Sequence, residues 1–112
     1  MGFTLLELMV IVGLIGMLAA IAIPTMVRAR TTSQTNVCVS NLRQIQSAIQ
    51  QSALDLKKAP TASVTAAEVT PYLKRGAVCP AGGTTFDDSY LLTDVATEPT
   101  CKREPLIHIL QQ

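Results

Sequence analysis

The sequence predicts an α+β protein in which a long N-terminal α-helix packs, through its second half, on a small antiparallel β-sheet head. Three observations predict it. Residues 3–23 are apolar, Gly or Thr except for one formal charge, Glu7. Beyond them, apolar residues recur at spacings of three and four as far as Leu56, as on one face of a helix. The remaining half is short β-prone segments separated by Gly, Pro and Asp.

Residues 3–23, FTLLELMVIVGLIGMLAAIAI, are long enough to cross a membrane. At about 1.5 Å per residue a helix of this length covers roughly 30 Å, the thickness of the hydrocarbon core. A protein of 112 residues has no interior that could enclose a helix that is apolar all round. We therefore expect this segment to lie in lipid or against copies of itself.

Glu7 is the exception within this span. A carboxylate there costs about 2.5 kcal/mol or more, so we expect it to have a partner. One interpretation is a capping box, in which Thr4 caps the helix and Glu7 stands three residues later. The other is that cleavage between Gly2 and Phe3 creates an amino group on Phe3, which pairs with Glu7 of a neighbouring chain and fixes the stagger between subunits. Both can hold, first in the monomer and then in the assembly.

The segment Gly2 to Val10, GFTLLELMV, resembles the class III signal-peptide junction of type IV pilins and type II secretion pseudopilins. The resemblance extends to Pro24, where many pilins carry a helix-bending proline, and it covers about a quarter of the chain. It implies that a prepilin peptidase cuts after Gly2 and N-methylates Phe3. Residues 1–2 are then a residual leader, 3–24 the transmembrane and filament-core helix, 25–58 an amphipathic helix and 59–112 the globular head.

The sequence departs from that family pattern before the junction. No Lys or Arg precedes Gly2, and the nearest basic residues, Arg28 and Arg30, follow the span. By charge alone this favours a cytoplasmic head. We expect the opposite orientation, because the resemblance implies a longer basic leader and because cysteines are typical of an oxidising compartment.

Gly13, Gly16 and Pro24 mark the weakest part of the predicted helix. Each Gly weakens a helix by roughly 1 kcal/mol relative to Ala, and Pro removes a backbone donor. The resemblance implies bending or partial melting between Gly16 and Pro24 on assembly. The alternative is that small residues only let neighbouring helices approach closely. In either case Pro24 is expected to bend the helix and not to end it.

In the amphipathic segment, the predicted buried face is Cys38, Leu42, Ile45, Ile49, Ala53 and Leu56. The helix is expected to end at Lys58, before Pro60. In the head, Thr65 and Glu68 predict a capping box, and Thr70 is expected to cap a turn that begins at Pro71. We also expect a hairpin across residues 84–93 and a last strand at 106–110.

The three cysteines allow one disulfide and one free thiol. Cys79 with Cys101 is the favoured pair, closing a loop of roughly 22 residues worth about 3 kcal/mol, with a bond from Cys38 to either as the alternative. Cys38 would otherwise be a small buried hydrophobe. No metal site is expected, because no CxxC occurs and His108 lies in an apolar run. No cofactor or enzymatic constellation is found.

These observations predict the structural subunit of a type IV pilus-like helical filament, made as an inner-membrane precursor and assembled outside that membrane. The implied partners are further copies of the chain, the prepilin peptidase, an assembly ATPase and a platform protein. The alternatives are a type II secretion pseudopilin and a monomeric signal-anchored periplasmic binding protein. A net charge of +1 with scattered basic pairs gives no support for DNA contact, although a filament could align such pairs.

Overall fold

The computed structural model describes residues 1–74 and 76–110. Its longest element is the helix α1, and the other elements are short. In chain order they are α1 (Leu5–Asp55), α2 (Ala66–Val69), a 3₁₀ turn (Thr70–Tyr72), α3 (Phe86–Ser89), β1 (Tyr90–Leu91) and β2 (Thr100–Cys101). The expected α+β class with a long apolar N-terminal helix and a small antiparallel sheet is confirmed.

The chain divides into two compact units, Met1–Thr32 and Ser33–Gln112, with the boundary inside α1. In the first unit the helix continues through Pro24, so the expectation that this proline does not end it is confirmed. The Thr25 hydroxyl donates to the Ile21 carbonyl at 3.1 Å, a hydrogen bond back to the preceding turn. By length and composition this helix could span a membrane.

The second unit has its core on one face of α1. The predicted face is buried from Cys38 to Ala53, together with Ala48 and Ser52 one turn away on the same side. Residues of the head complete this core: Val64, Val69, Ala77, Cys79, Tyr90 and Cys101. Leu56 is 52% exposed, so the buried face ends at Ala53, three residues earlier than expected.

α1 ends at Asp55, before the expected Lys58, because two backbone amides turn back onto the last helical turn. The Lys57 amide donates to the Leu54 carbonyl at 3.3 Å, and the Lys58 amide donates to the Ala53 carbonyl at 2.9 Å. This is the Schellman arrangement, which needs a left-handed residue after the helix. Lys57 supplies it with φ of 49°, a position where glycine is usual.

The predicted cap of α2 is confirmed. The Thr65 amide donates to Glu68 Oε2 at 2.9 Å, and the Glu68 amide donates to the Thr65 carbonyl at 3.1 Å. The turn that follows differs from expectation in one respect: Thr70 lies inside the 3₁₀ turn with Pro71 instead of capping it. The Thr70 hydroxyl donates to the Ala66 carbonyl at 2.6 Å, so this side chain satisfies a carbonyl of α2.

The expected hairpin across 84–93 is wrong. Phe86–Ser89 is the short helix α3, because Thr85 Oγ1 accepts a hydrogen bond from the Asp88 amide and so caps a helical turn. β1 pairs instead with β2, in antiparallel register with Tyr90 opposite Cys101. An isolated bridge joins Ser63 to Asp94.

The expected last strand at 106–110 is also wrong. The amides of Ile107 and His108 both donate to the Glu104 carbonyl, at 3.3 and 2.9 Å. These bonds wind the segment into a turn, so its alternating β-prone residues do not form a ladder with the sheet. The turn directs His108 into the core, where it is 3% exposed.

Candidate functional site

The first unit presents a continuous apolar surface. Residues 1–32 are exposed throughout, including large apolar side chains such as Leu5 (78%), Ile15 (60%) and Ile23 (65%). Soluble proteins rarely expose contiguous apolar area beyond a few hundred Å² unless another surface covers it. This surface is therefore suited to lipid or to the same surface of other chains, as the sequence predicts.

Thr4 and Glu7 form part of the predicted cap. Thr4 Oγ1 accepts a hydrogen bond from the Glu7 amide at 3.3 Å, and the Thr4 carbonyl accepts from the Leu8 amide at 3.2 Å. Glu7 is nevertheless exposed, and Phe3 is 79% exposed. Both residues proposed for registry are thus accessible to a second chain, while their pairing remains a prediction.

Gly2, Gly13 and Gly16 lie on the same exposed surface. A Cβ built at any of the three would have no atom within 4 Å outside its local helix. No close contact within the described chain therefore requires a glycine there. A requirement for small residues would have to come from helix–helix packing between chains or from weakening of the helix, the two interpretations left open by the sequence.

The second unit brings all the cysteines and the single histidine of the chain together. We call this group the Cys3His cluster: Cys38 on α1, Cys79 in the segment before α3, Cys101 on β2 and His108 in the final turn. All four side chains are buried, and their ligand atoms lie within 4.8 Å of one another. The cluster lies in the hydrophobic core, apart from solvent.

Within this cluster the favoured disulfide partners are neighbours. Cys79 Sγ lies 3.5 Å from Cys101 Sγ, and the three cysteines carry free thiols in this structure. His108 Nδ1 lies 3.7 Å from the Cys79 sulfur and 3.6 Å from the Cys101 sulfur. The Cys79–Cys101 pairing remains a prediction, and the approach of His108 to both sulfurs was not expected from the sequence.

Cys38 lies beside two polar side chains at the edge of the cluster, those of Tyr90 and Asn41. Its thiol lies 3.7 Å from the Tyr90 hydroxyl, which accepts a hydrogen bond from Asn41 Nδ2 at 3.1 Å. Burial raises the pKa of the Cys38 and Cys79 thiols above their usual value. Burial likewise raises the pKa of Tyr90, so its hydroxyl keeps its proton at neutral pH.

The sequence offered little signal for this cluster. Its members are 22 to 70 residues apart except for Cys101 and His108, which are seven apart, and no CxxC pair occurs. The usable signal was a single polar residue inside the apolar run from Leu106 to Leu110. The composition of that run predicts a strand, and this prediction does not place His108 beside the cysteines.

Comparison with known proteins gives curated relatives for part of the chain. Two forms of the type IV major fimbrial protein FimA of Dichelobacter nodosus are 48% and 47% identical over 58 residues, 52% of this chain. The type IV major pilin protein PilA of Myxococcus xanthus is 45% identical over 47 residues, 42% of this chain. The resemblance to type IV pilins is confirmed.

The similarity is partial in length. The matched segments cover 36% and 37% of the two FimA proteins and 21% of PilA, so the chain spans about a third or less of these relatives. No family model matches the chain, and no solved structure is significantly similar to it. The relatives thus support the pilin resemblance without describing the head.

Proposed function

We propose that this chain is a structural subunit of a type IV pilus-like helical filament. The observation that carries the proposal is the exposed apolar surface of residues 3–23, in a chain whose relatives are type IV pilins. Assembly transfers this surface from lipid to the same surface of other subunits. The subunits contact one another head-to-tail, so that different faces of this segment meet, and such a contact between identical chains generates an open-ended fibre.

We propose further that the chain is made as an inner-membrane precursor and cut between Gly2 and Phe3. Prepilin peptidase would methylate the new Phe3 amine, and an assembly ATPase with a platform protein would drive polymerisation. The Glu7 carboxylate then pairs with the Phe3 amine of a neighbouring subunit. The supporting observation is that Phe3 and Glu7 are both exposed at the start of α1. The pair would neutralise two charges that are costly in an apolar environment.

A pilus subunit is favoured over a type II secretion pseudopilin, because the curated relatives are named fimbrial and pilin proteins. The further alternative is a monomeric, signal-anchored periplasmic binding protein. It would use residues 3–23 only as an anchor, and it would give Glu7 no role beyond the cap at Thr4. The two classes differ in whether a fibre forms.

The deciding experiment is the intact mass of the protein in fibres sheared from its native host. A mass that begins at Phe3 with one added methyl group, in high-molecular-weight material, is expected. An uncleaved chain confined to membranes would establish the anchored monomer instead.

A second experiment tests the registry pair with Glu7→Ala and, as a matched control on the exposed head, Glu104→Ala. Loss of an interaction of about 1.4 kcal/mol per contact lowers association about tenfold, so fibre yield should fall at least that far for Glu7→Ala. Membrane insertion should be unchanged or improved, and the control should assemble normally. Equal fibre yield from both variants would refute the registry pair.

A further inference from the structure

The Cys3His cluster has the composition of a metal site. It uses all three cysteines and the only histidine of the chain, and the four residues come from four separate segments. Sulfur and imidazole ligands in this ratio are typical of structural Zn²⁺ sites, which are closed and four-coordinate. The fold has therefore gathered every soft ligand of the sequence apart from methionine sulfur in one buried place.

The final turn is arranged around His108 and not around its apolar neighbours. His108 is 3% exposed, whereas Leu106 is 89%, Ile107 59% and Ile109 49% exposed. Burial by hydrophobicity alone would give the reverse order. The turn places the imidazole of His108 against the Cys79 and Cys101 sulfurs while larger apolar side chains beside it stay exposed.

Three distances within the cluster are close to those of tetrahedral zinc. Zn–S bonds of about 2.3 Å and a Zn–N bond of about 2.05 Å at tetrahedral angles place two sulfurs about 3.8 Å apart and a sulfur about 3.6 Å from the nitrogen. The structure has 3.5 Å between the Cys79 and Cys101 sulfurs, and 3.7 and 3.6 Å from these to His108 Nδ1. The Cys38 sulfur lies within the same 4.8 Å group.

We propose that the Cys3His cluster binds one Zn²⁺ ion as a structural site of the head. Binding deprotonates the three thiols, which release three protons to solvent, and uses the neutral Nδ1 lone pair of His108. The resulting centre carries one net negative charge. The Tyr90 oxygen accepts from the Cys38 thiol at 3.7 Å and from Asn41 at 3.1 Å. Once Cys38 has lost its proton, the Tyr90 hydroxyl is placed to donate to the thiolate and so to stabilise that charge.

The zinc site and the expected Cys79–Cys101 disulfide are mutually exclusive, because both need the same two sulfurs. A disulfide between Cys79 and Cys101 would join only two of the four segments, and it would leave Cys38 and His108 without a covalent or metal-ligand bond to the others. Zinc joins all four segments, including α1 through Cys38. The proposal departs from the sequence-based expectation that His108 is not a ligand.

The test uses the full chain from its native cell envelope, extracted in detergent without chelator, reductant or added metal. Elemental analysis is expected to give one zinc per chain. Alkylation after denaturation in the presence of chelator should then modify all three cysteines. A metal-free protein in which alkylation reaches only one cysteine would establish a disulfide and overturn the proposal. Metal-free protein with three free thiols, or protein that holds another metal in place of zinc, would also overturn it.

Two variants at one position separate ligation from folding. His108→Phe keeps a ring of similar size and should lose bound zinc and lower the unfolding temperature, whereas His108→Cys offers a fourth thiolate and should retain zinc. Leu106→Ala, an exposed neighbour in the same turn, is the control and should match the wild type. Zinc bound equally by all four proteins would overturn the assignment. The wild-type metal content decides the question even if a variant fails to fold, and it does not depend on filament formation.

Discussion

Lys58 Nζ lies 2.6 Å from Glu68 Oε1 and 3.0 Å from the Ser63 carbonyl oxygen, so the turn that follows the end of α1 is joined to α2. The other carboxylate oxygen of Glu68 accepts from the Thr65 amide. One side chain thus serves as both the cap of α2 and the partner of the lysine. The hydrogen bond from Lys58, supported by the Thr65 amide, lowers the pKa of Glu68 from 4.5 to about 2.

This pKa predicts how stability changes with pH. Because the folded pKa lies below the unfolded one, the carboxylate's contribution is fully present above about pH 4.5 and is lost as the pH falls towards about 2. Glu68→Gln should therefore unfold at a lower temperature than the wild type at neutral pH, and the two should converge in acid. Thermal unfolding followed by tyrosine circular dichroism measures this. Glu104→Gln, an exposed control, should show no such convergence; a constant gap between Glu68→Gln and wild type across the range would contradict the prediction.

The left-handed residue at the end of α1 predicts a stabilising substitution. A side chain at φ near +50° costs roughly 1 kcal/mol that glycine does not incur. Lys57→Gly should raise the free energy of unfolding by up to about 1 kcal/mol, and Lys57→Val, branched at Cβ, should lower it. Denaturant titration measures both changes. Lys57→Met removes the charge without changing the backbone requirement, and a gain of the same size for Lys57→Met would attribute the effect to charge.

Gly83 is required by a close approach beside the Cys3His cluster. A Cβ there would lie 2.1 Å from Ser89 Oγ and 3.0 Å from the Cys79 carbonyl oxygen. That hydroxyl accepts from the Cys79 amide at 3.1 Å and donates to the Thr85 carbonyl, so displacing it breaks buried hydrogen bonds. Gly83→Ala should destabilise the head by about 1–3 kcal/mol.

Gly76→Ala is the matched control for that variant, since a Cβ at Gly76 meets nothing within 4 Å. The free energies of unfolding of the two variants, measured by urea titration, should differ by most of the loss predicted for Gly83→Ala. Equal stabilities would show that the segment around Gly83 moves aside without cost.

Thr4 and Glu7 can be separated by their effects on the helix and on assembly. Thr4→Ala removes the acceptor for the Glu7 amide and should destabilise the first turn of α1 by about 1 kcal/mol. Hydrogen exchange of the Glu7 amide in detergent should accelerate, while fibre yield stays near the wild-type level. Glu7→Gln should do the reverse, with little change in exchange and a loss of fibres. Fibre loss from Thr4→Ala alone would place the cap, and not the charge, at the centre of assembly.

The sequence by itself determined the parts of this protein that depend on local chemistry. Three features of α1 depend on residues that are close neighbours in sequence: the apolar span, the continuation of the helix through Pro24 and the buried face from Cys38 to Ala53. Local composition and the helical spacing of apolar residues are enough to predict them. The Thr65 cap is local in the same way. The GFTLLELM junction carried the pilin resemblance because it is one contiguous motif.

Only the tertiary structure decided the arrangement of the head. The partner of β1 is β2, while the β-prone residues at 106–110 are held in a turn by bonds to the Glu104 carbonyl. Strand propensity predicts neither outcome, because it depends on which neighbours a segment packs against. The meeting of Cys38, Cys79, Cys101 and His108 is likewise fixed by how three segments of the head pack on α1. The spacing of these four residues along the chain does not predict that packing. The local sequence around each of them is compatible with a buried apolar residue, a disulfide partner or a metal ligand.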